Sequence, residues 1–169
     1  QAPGTLIQPH FPGYYNITPN GVEIERFSAP AEPLPHLNDG MLNILSVGRL
    51  EKRKGQRYLL RAFARVKAAI PKARLVIVGG YDARQRNTYE HWVRENGLKD
   101  VVFAGFVSDA DLPPYHHSSH VFCAPNTRNE SQGNNLLQAM AGRCPGASPA
   151  WARQTPLQPS WSSMRPSGA

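Results

Sequence analysis

Residues 43–80 read NILSVGRLEKRKGQRYLLRAFARVKAAIPKARLVIVGG, and the order of patterns within them decides the fold. Asn43 to Gly48 is a short apolar run stopped by glycine, as expected of a strand buried on both faces. From Gln56 to Ile70 the apolar residues Leu59, Phe63, Val66 and Ile70 recur at helical spacing, with Arg57, Arg61 and Arg65 on the opposite side. Pro71 ends that helix, and Arg74 to Gly80 repeats the apolar strand and its glycine turn. Strand, helix and strand at this spacing imply a right-handed crossover between parallel strands.

The alternation continues along the chain. Tyr89 to Asn96 reads as a helix closed by Gly97, and Val101 to Val107 as a third strand. A short helix is expected within Asp109 to Ser119, then a fourth strand from His120 to Pro125, a polar loop, and a helix from Asn134 to Ala141. The fold class is therefore α/β, a Rossmann-like parallel sheet with helices on both faces. Residues 1–40, with Pro3, Pro9, Pro12, Pro19, Pro30, Pro33 and Pro35, read as an entry segment and linker, and 41–141 as the domain. Residues 142–169 form an irregular tail. Beyond Arg143 they hold no Asp, Glu, Lys, Val, Ile, Phe or Tyr, and Pro145, Pro149, Pro156, Pro159 and Pro166 are expected to prevent any regular element. The abrupt change at Ala141 is read as a reading-frame change that replaced the end of the domain.

The chain has 169 residues, 40% of them hydrophobic, enough for one ordinary soluble domain. No run approaches the ~20 apolar residues of a membrane-spanning helix, and Gln1 to Pro12 lacks the plan of a signal peptide. Two cysteines, Cys123 and Cys144, make no disulfide framework and fit a reducing compartment, so a cytoplasmic location is expected. The formal charge of +7 divides into +4 over the first 142 residues and +3 over the last 27. Within Arg49 to Arg74, ten bases accompany the single acid Glu51, a concentration that suggests a local anion partner; a solvated helix face is the competing reading.

Ligands of parallel sheets bind outside the carboxyl ends of the strands, so the residues just after each strand are informative. After the first strand comes Gly48-Arg49-Leu50-Glu51-Lys52-Arg53-Lys54-Gly55. It lacks the glycine framing of a Walker A loop. Glycine lets the chain turn close to a ligand, Arg49 offers a forked donor, and Lys54 adds a compact charge at the helix start, a set suited to a diphosphate. A solvated basic turn is the alternative. After the fourth strand, Glu130 has the wrong sign for phosphate and suits sugar hydroxyls, an ordinary polar loop and cap being the reading favoured if this motif stood alone. Ser131 can cap the following helix, whose amides from Gly133 through Asn134 to Asn135 form another anion seat.

Taken together, PNGV (19–22), ILSVGRLEKRKG, LLRAFARVKAAIPKARLVIVGG, VVFAGFVSDADLPPYHHSSHVF and APNTRNESQGNNLLQAMA resemble the carboxyl-terminal, nucleotide-sugar-binding domain of the retaining glycosyltransferases of family 4, also called group 1, over about residues 15–141. The resemblance implies the later half of a GT-B-type enzyme, incomplete at its end, without its acceptor domain and so inactive alone. It implies transfer of a hexosyl group from a GDP- or UDP-sugar to a sugar, lipid or small-molecule acceptor. It makes Arg49 and Lys54 the clamps on the leaving diphosphate, with no metal or other cofactor. Gly48 and Gly79 would sit at the strand ends, the backbone of Phe106 and Val107 would meet the base edge, and Glu130 would contact the donor sugar. Glu130 corresponds to the first of the family's two glutamates; the second is Gln138 here, which keeps an acceptor for a ribose hydroxyl but loses the charge. Asn134 and Asn135 stand where the family usually has apolar residues. Electrostatic help from Arg49 and Lys54 would be worth about 3–4 kcal/mol each in the transition state.

Competing function classes are a non-catalytic nucleotide-binding module, which would not need Arg49, and a nucleic-acid-binding protein. The basic stretch lacks the interleaved aromatics of the latter, so no nucleic acid is expected. His116, His117 and His120 invite a metal reading, but no acid or Cys has ligand spacing, and a surface helix is the expectation. Cys123 reads as a small buried apolar residue. The sequons at Asn16 and Asn129 read as chance without a secretory signal. Arg57, Arg61 and Arg65 could touch anionic lipid, giving a peripheral membrane contact, although a solvated face is favoured.

Overall fold

In the computed structural model, residues 10, 13, 21–127, 133–142, 144 and 146–147 are described. A five-stranded, all-parallel sheet has the order β3-β2-β1-β4-β5. Its strands are β1 (Leu42–Val47), β2 (Ala73–Val78), β3 (Val101–Gly105), β4 (Val121–Cys123) and β5 (Gly146–Ala147). The helices are α1 (Ile24–Ser28), α2 (Gln56–Ala69), α3 (Ala83–Glu95), α4 (Leu112–His117) and α5 (Asn134–Ala141), with 3-10 turns at Pro35–Leu37 and Lys52–Lys54.

The order follows from two crossover directions. From β1 the chain passes through α2 to β2 on one side, and β4 returns to pair with β1 on the other. The direction reverses between β1 and β4, which opens a crevice at their carboxyl ends. β2 lies between β3 and β1 with all six of its residues buried, as expected of an apolar strand covered on both faces.

One core packs Leu45, Val76, Val78 and Phe122 against Phe27, Leu112 and Ala139, and the other packs Leu75 and Ile77 against Leu59, Leu60 and Phe63 of α2. In α2, Leu59 and Phe63 are buried as the periodicity requires, Val66 is half-buried, and Ile70 is 43% exposed at the helix cap. Arg57, Arg61 and Arg65 are exposed.

Several expectations are corrected. α3 begins at Ala83 rather than Tyr89, because Asp82 caps it by accepting the amide of Gln85 at 2.7 Å. β3 stops at Gly105, whose φ of +79 turns the chain before Phe106 and Val107. The expected absence of regular structure beyond Arg143 also fails, because Gly146–Ala147 pairs with Phe122 and Cys123 as a short parallel strand. The helix bearing the histidines is not a plain surface helix. His116 is buried between Phe27 and Phe122, with ring centroids 5.5 and 5.6 Å away, and burial, with help from His117, lowers its pKa to about 4. Cys123 is half-buried rather than buried.

The ten-base cluster is not one patch. Arg74 is 8% exposed and reaches the entry segment at the amino end of β1, where it pairs with Asp39 and donates to the carbonyl of His36 at 3.2 Å. Beside it the amide of buried Asn43 donates to the carbonyls of Leu37 and Ser118 at 2.7 and 2.8 Å. Lys67 pairs with Asp100 at 2.5 Å. These bases serve the packing of the fold, far from the strand ends that face the crevice.

Candidate functional site

The carboxyl ends of the strands are laced together by backbone hydrogen bonds. Gly48 N donates to Val78 O at 2.8 Å, Leu50 N to Gly80 O at 3.3 Å, and Gly79 N to Gly105 O at 2.8 Å. The loop after β4 joins through Thr127 N, which donates to Arg53 O at 3.0 Å. Two glycines permit this density. A Cβ at Gly79 (φ +151) would lie 2.2 Å from the Gly48 carbonyl oxygen, and one at Gly55 (φ +76) would lie 2.0 Å from that of Pro125. No other residue type fits either place.

These turns enclose an open cleft of about 300 Å³. It is lined by Gly48, Gly79 and Gly80 of the turns, by Arg49, Arg53 and Lys54 after β1, and by Phe106, Val107 and Asp109 after β3. Asn135 and Gln138 of α5 close it. Of the residues named from sequence, the cleft thus unites Gly48, Arg49, Lys54, Gly79, Phe106, Val107, Asn135 and Gln138. Asn134 is exposed and, like Gly133, does not line it. The N-cap position of α5 is Gly133, at a φ of +59. Glu130 and Ser131 lie outside the described residues, as do both sequons.

The cleft brings three cationic side chains near an exposed aromatic ring. Arg49 is 69% exposed and pairs with Glu51 at 3.1 Å, while Glu51 also takes Arg53 at 2.8 Å. Gln138 Oε1 is buried with no hydrogen-bond partner among the described residues, which is unusual for a buried acceptor. Asn135 is tied down, its side-chain amide donating to Val47 O at 2.7 Å. Phe106 is 81% exposed. Sequence reasoning missed Arg53 and Asp109 as lining residues; proximity to Arg49 and Phe106 was the available signal. Burial raises the pKa of both cysteines, that of Cys144 to about 11, so neither thiol is poised as a nucleophile. No group of three metal-ligating side chains occurs among the described residues. A second groove, about 340 Å³ between α2 and the loop after β4, is lined largely by Tyr58, Leu59, Ala62, Cys123 and Pro125 and carries no charged donor.

Residues 42–150 match the family described as Glycosyl transferases group 1. The chain belongs to that family. The match starts at β1 and runs nine residues beyond Ala141, where the resemblance read from the motifs stops. Among similar group 1 relatives is the phosphatidyl-myo-inositol mannosyltransferase of Mycobacterium tuberculosis (strain CDC 1551 / Oshkosh), 36% identical over 124 residues, covering 73% of this chain and 32% of that protein. The chain therefore spans about a third of that relative's length. Solved structures share the fold. Anabaena HepE in complex with UDP and glucose superposes with a TM-score of 0.65 at 20% identity, covering 76% of this chain and 36% of that one. The carboxyl-terminal domain of a group 1 glycosyl transferase from Francisella tularensis gives 0.65 at 22%, covering 76% and 70%. The architecture is thus the Rossmann-like half of a GT-B glycosyltransferase, which this group 1 chain builds around the cleft at Arg49 and Lys54.

Proposed function

We propose that this group 1 chain is the donor-binding half of a retaining glycosyltransferase that moves a hexosyl group from a UDP- or GDP-sugar to a carbohydrate, lipid or small-molecule acceptor. The observation that carries this is the joining, in one cleft, of Arg49 and Lys54 with the glycine turns of β1 and β2 and with the exposed ring of Phe106. Cations flank the place a diphosphate would fill, peptide groups approach it closely, and an aromatic face lies beside the place for a base. A relative named a mannosyltransferase and a solved neighbour that holds UDP and glucose support the transfer of a hexosyl group from a nucleotide sugar.

As the bond between the anomeric carbon and the diphosphate oxygen breaks, negative charge grows on the leaving group. Arg49 and Lys54 stand where that charge develops, and each such donor is worth about 3–4 kcal/mol in comparable sites. A cationic wall of this kind does the electrostatic work without a metal. The leaving phosphate would take the acceptor's proton on the same face, so no carboxylate nucleophile is required. Gln138 Oε1 would accept from a ribose hydroxyl, and Glu130 would contact the donor sugar. The 169 residues alone are expected to bind donor without turnover, in a cytoplasmic setting.

Calorimetric titration with UDP, GDP and their sugars tests the reading, alongside Arg49→Ala. Micromolar to millimolar binding that Arg49→Ala weakens at least tenfold supports it. Binding indifferent to Arg49→Ala would favour a non-catalytic nucleotide module, and a transfer rate from the purified chain would overturn the claim of inactivity. Nucleic-acid binding is disfavoured because the basic cluster is split, Lys67 and Arg74 being held by Asp100 and Asp39 at the amino end of the sheet and away from the cleft.

A further inference from the structure

Glu51 lies between two arginines. Its Oε1 meets Arg49 Nε at 3.1 Å and its Oε2 meets Arg53 Nε at 2.8 Å. Its backbone is also fixed, because its amide donates to Arg49 O at 2.7 Å and its carbonyl accepts from Lys54 N at 2.9 Å. Arg53 in turn is anchored to the loop after β4, its carbonyl accepting from the amide and the hydroxyl of Thr127 at 3.0 and 3.2 Å. Arg49, Arg53 and Lys54 line the cleft, whereas Glu51 does not. The acid therefore pairs with both arginines from outside the cleft that they line.

We propose that Arg53 is a third cation of the diphosphate seat, and that Glu51 is a positioning residue holding Arg49 and Arg53 side by side at its rim. This rests on the nucleotide-sugar reading and deepens it. Two adjacent guanidinium groups repel, and on a half-exposed turn each would otherwise move apart into water. Exposed ion pairs add little to stability. What the shared carboxylate supplies is placement, which lowers the ordering cost when an anion binds. Lys52, in the same turn but exposed and absent from the cleft, is left out of the seat.

The sign of one substitution separates placement from charge. Glu51→Gln removes a negative charge close to an anion site, so charge alone predicts tighter binding; loss of placement predicts weaker binding. The full chain, Glu51→Gln and Arg53→Ala are titrated with UDP, GDP, UMP and GMP, with thermal unfolding recorded beside each. Expected is an affinity loss of about three- to tenfold for the diphosphates in both variants, a smaller loss for the monophosphates, and unchanged unfolding midpoints. Equal or tighter diphosphate binding by Glu51→Gln overturns the proposal, as does an equal loss for mono- and diphosphates accompanied by a lowered midpoint. If the unaltered chain binds neither UDP nor GDP, the nucleotide reading itself falls and takes this proposal with it. If it binds both and the variants match it, only the present proposal falls.

Discussion

The side-chain amide of Asn135 donates to the carbonyl of Val47 at 2.7 Å, fastening the first turn of α5 to the last residue of β1. The bond spans the reversal point of the sheet, where β1 and β4 diverge. It also fixes the orientation of α5, and with it Gln138 one turn further along. An apolar residue at 135 could pack in that space but could not satisfy the Val47 carbonyl.

Asn135→Leu is therefore expected to lower stability by about 1–2 kcal/mol, the cost of a part-buried carbonyl left unpaired. Nucleotide affinity should fall with it, because the cleft loses the anchor of one wall. Denaturant unfolding and calorimetry on the same preparation check both, and an unchanged midpoint would show that water replaces the bond at no cost.

The second expectation concerns pH. The His116 ring is buried against Phe27 and Phe122, neither ring nitrogen has a partner among the described residues, and burial, aided by His117, lowers its pKa from 6.5 to about 4. The unfolded chain therefore binds a proton between pH 6.5 and 4 that the folded chain refuses. Stability is complete above pH 6.5 and declines as pH falls toward 4, by about 3 kcal/mol for this group alone. His116→Phe keeps a ring in the same place and should flatten that part of the profile. Unfolding midpoints from pH 8 to pH 4 measure it; parallel slopes in both proteins would assign the loss to other groups.

Much of the fold was legible because β1, β2 and α2 announce themselves by period. Leu59 and Phe63 fall on one face, Arg57 and Arg61 on the other, and the glycines after each strand mark where the chain must turn. The cleft was legible for the same reason, since parallel strands bring their carboxyl ends together. What stayed hidden was set by tertiary partners. Arg74 and Arg53 look alike in the sequence, yet Asp39 draws one into the amino end of the sheet and Glu51 holds the other at the cleft. His116 looked exposed because nothing local revealed that Phe27, 89 residues earlier, covers it. Asp82 as a cap and Gly146–Ala147 as a strand also depend on neighbours that no short window contains.

At the crossing of the β1 and β2 turns there is no room for a side chain. Gly79→Ala would bring Cβ to 2.2 Å from Gly48 O at a φ of +151, a contact that only backbone movement can relieve. A cost of about 2–4 kcal/mol is expected, from overpacking and backbone strain together. Gly80→Ala is the control, since nothing lies within 4 Å of its added carbon. A chemical-denaturation midpoint for Gly80→Ala near that of the unaltered chain, with a large shift for Gly79→Ala, is the expected pair of results. Equal shifts would mean that the turn yields at both places alike.

Gln138 offers a case in which stability and affinity should move in opposite directions. Its Oε1 is buried without a hydrogen-bond partner among the described residues, and the side chain lines the cleft. A buried acceptor left unpaired costs about 1–3 kcal/mol, and replacing it with an apolar group of similar size removes that cost. Gln138→Leu should therefore leave the unligated chain as stable as before or more so. If the acceptor is kept for a ribose hydroxyl, the same change should weaken UDP or GDP binding by about fivefold to tenfold, while inorganic pyrophosphate, which has no ribose, is unaffected. Pyrophosphate thus separates a lost ribose contact from a distorted phosphate seat. Equal losses for pyrophosphate and nucleotide would place the fault in the seat, whereas a loss of stability with affinity intact would make Gln138 a structural residue whose partner lies elsewhere.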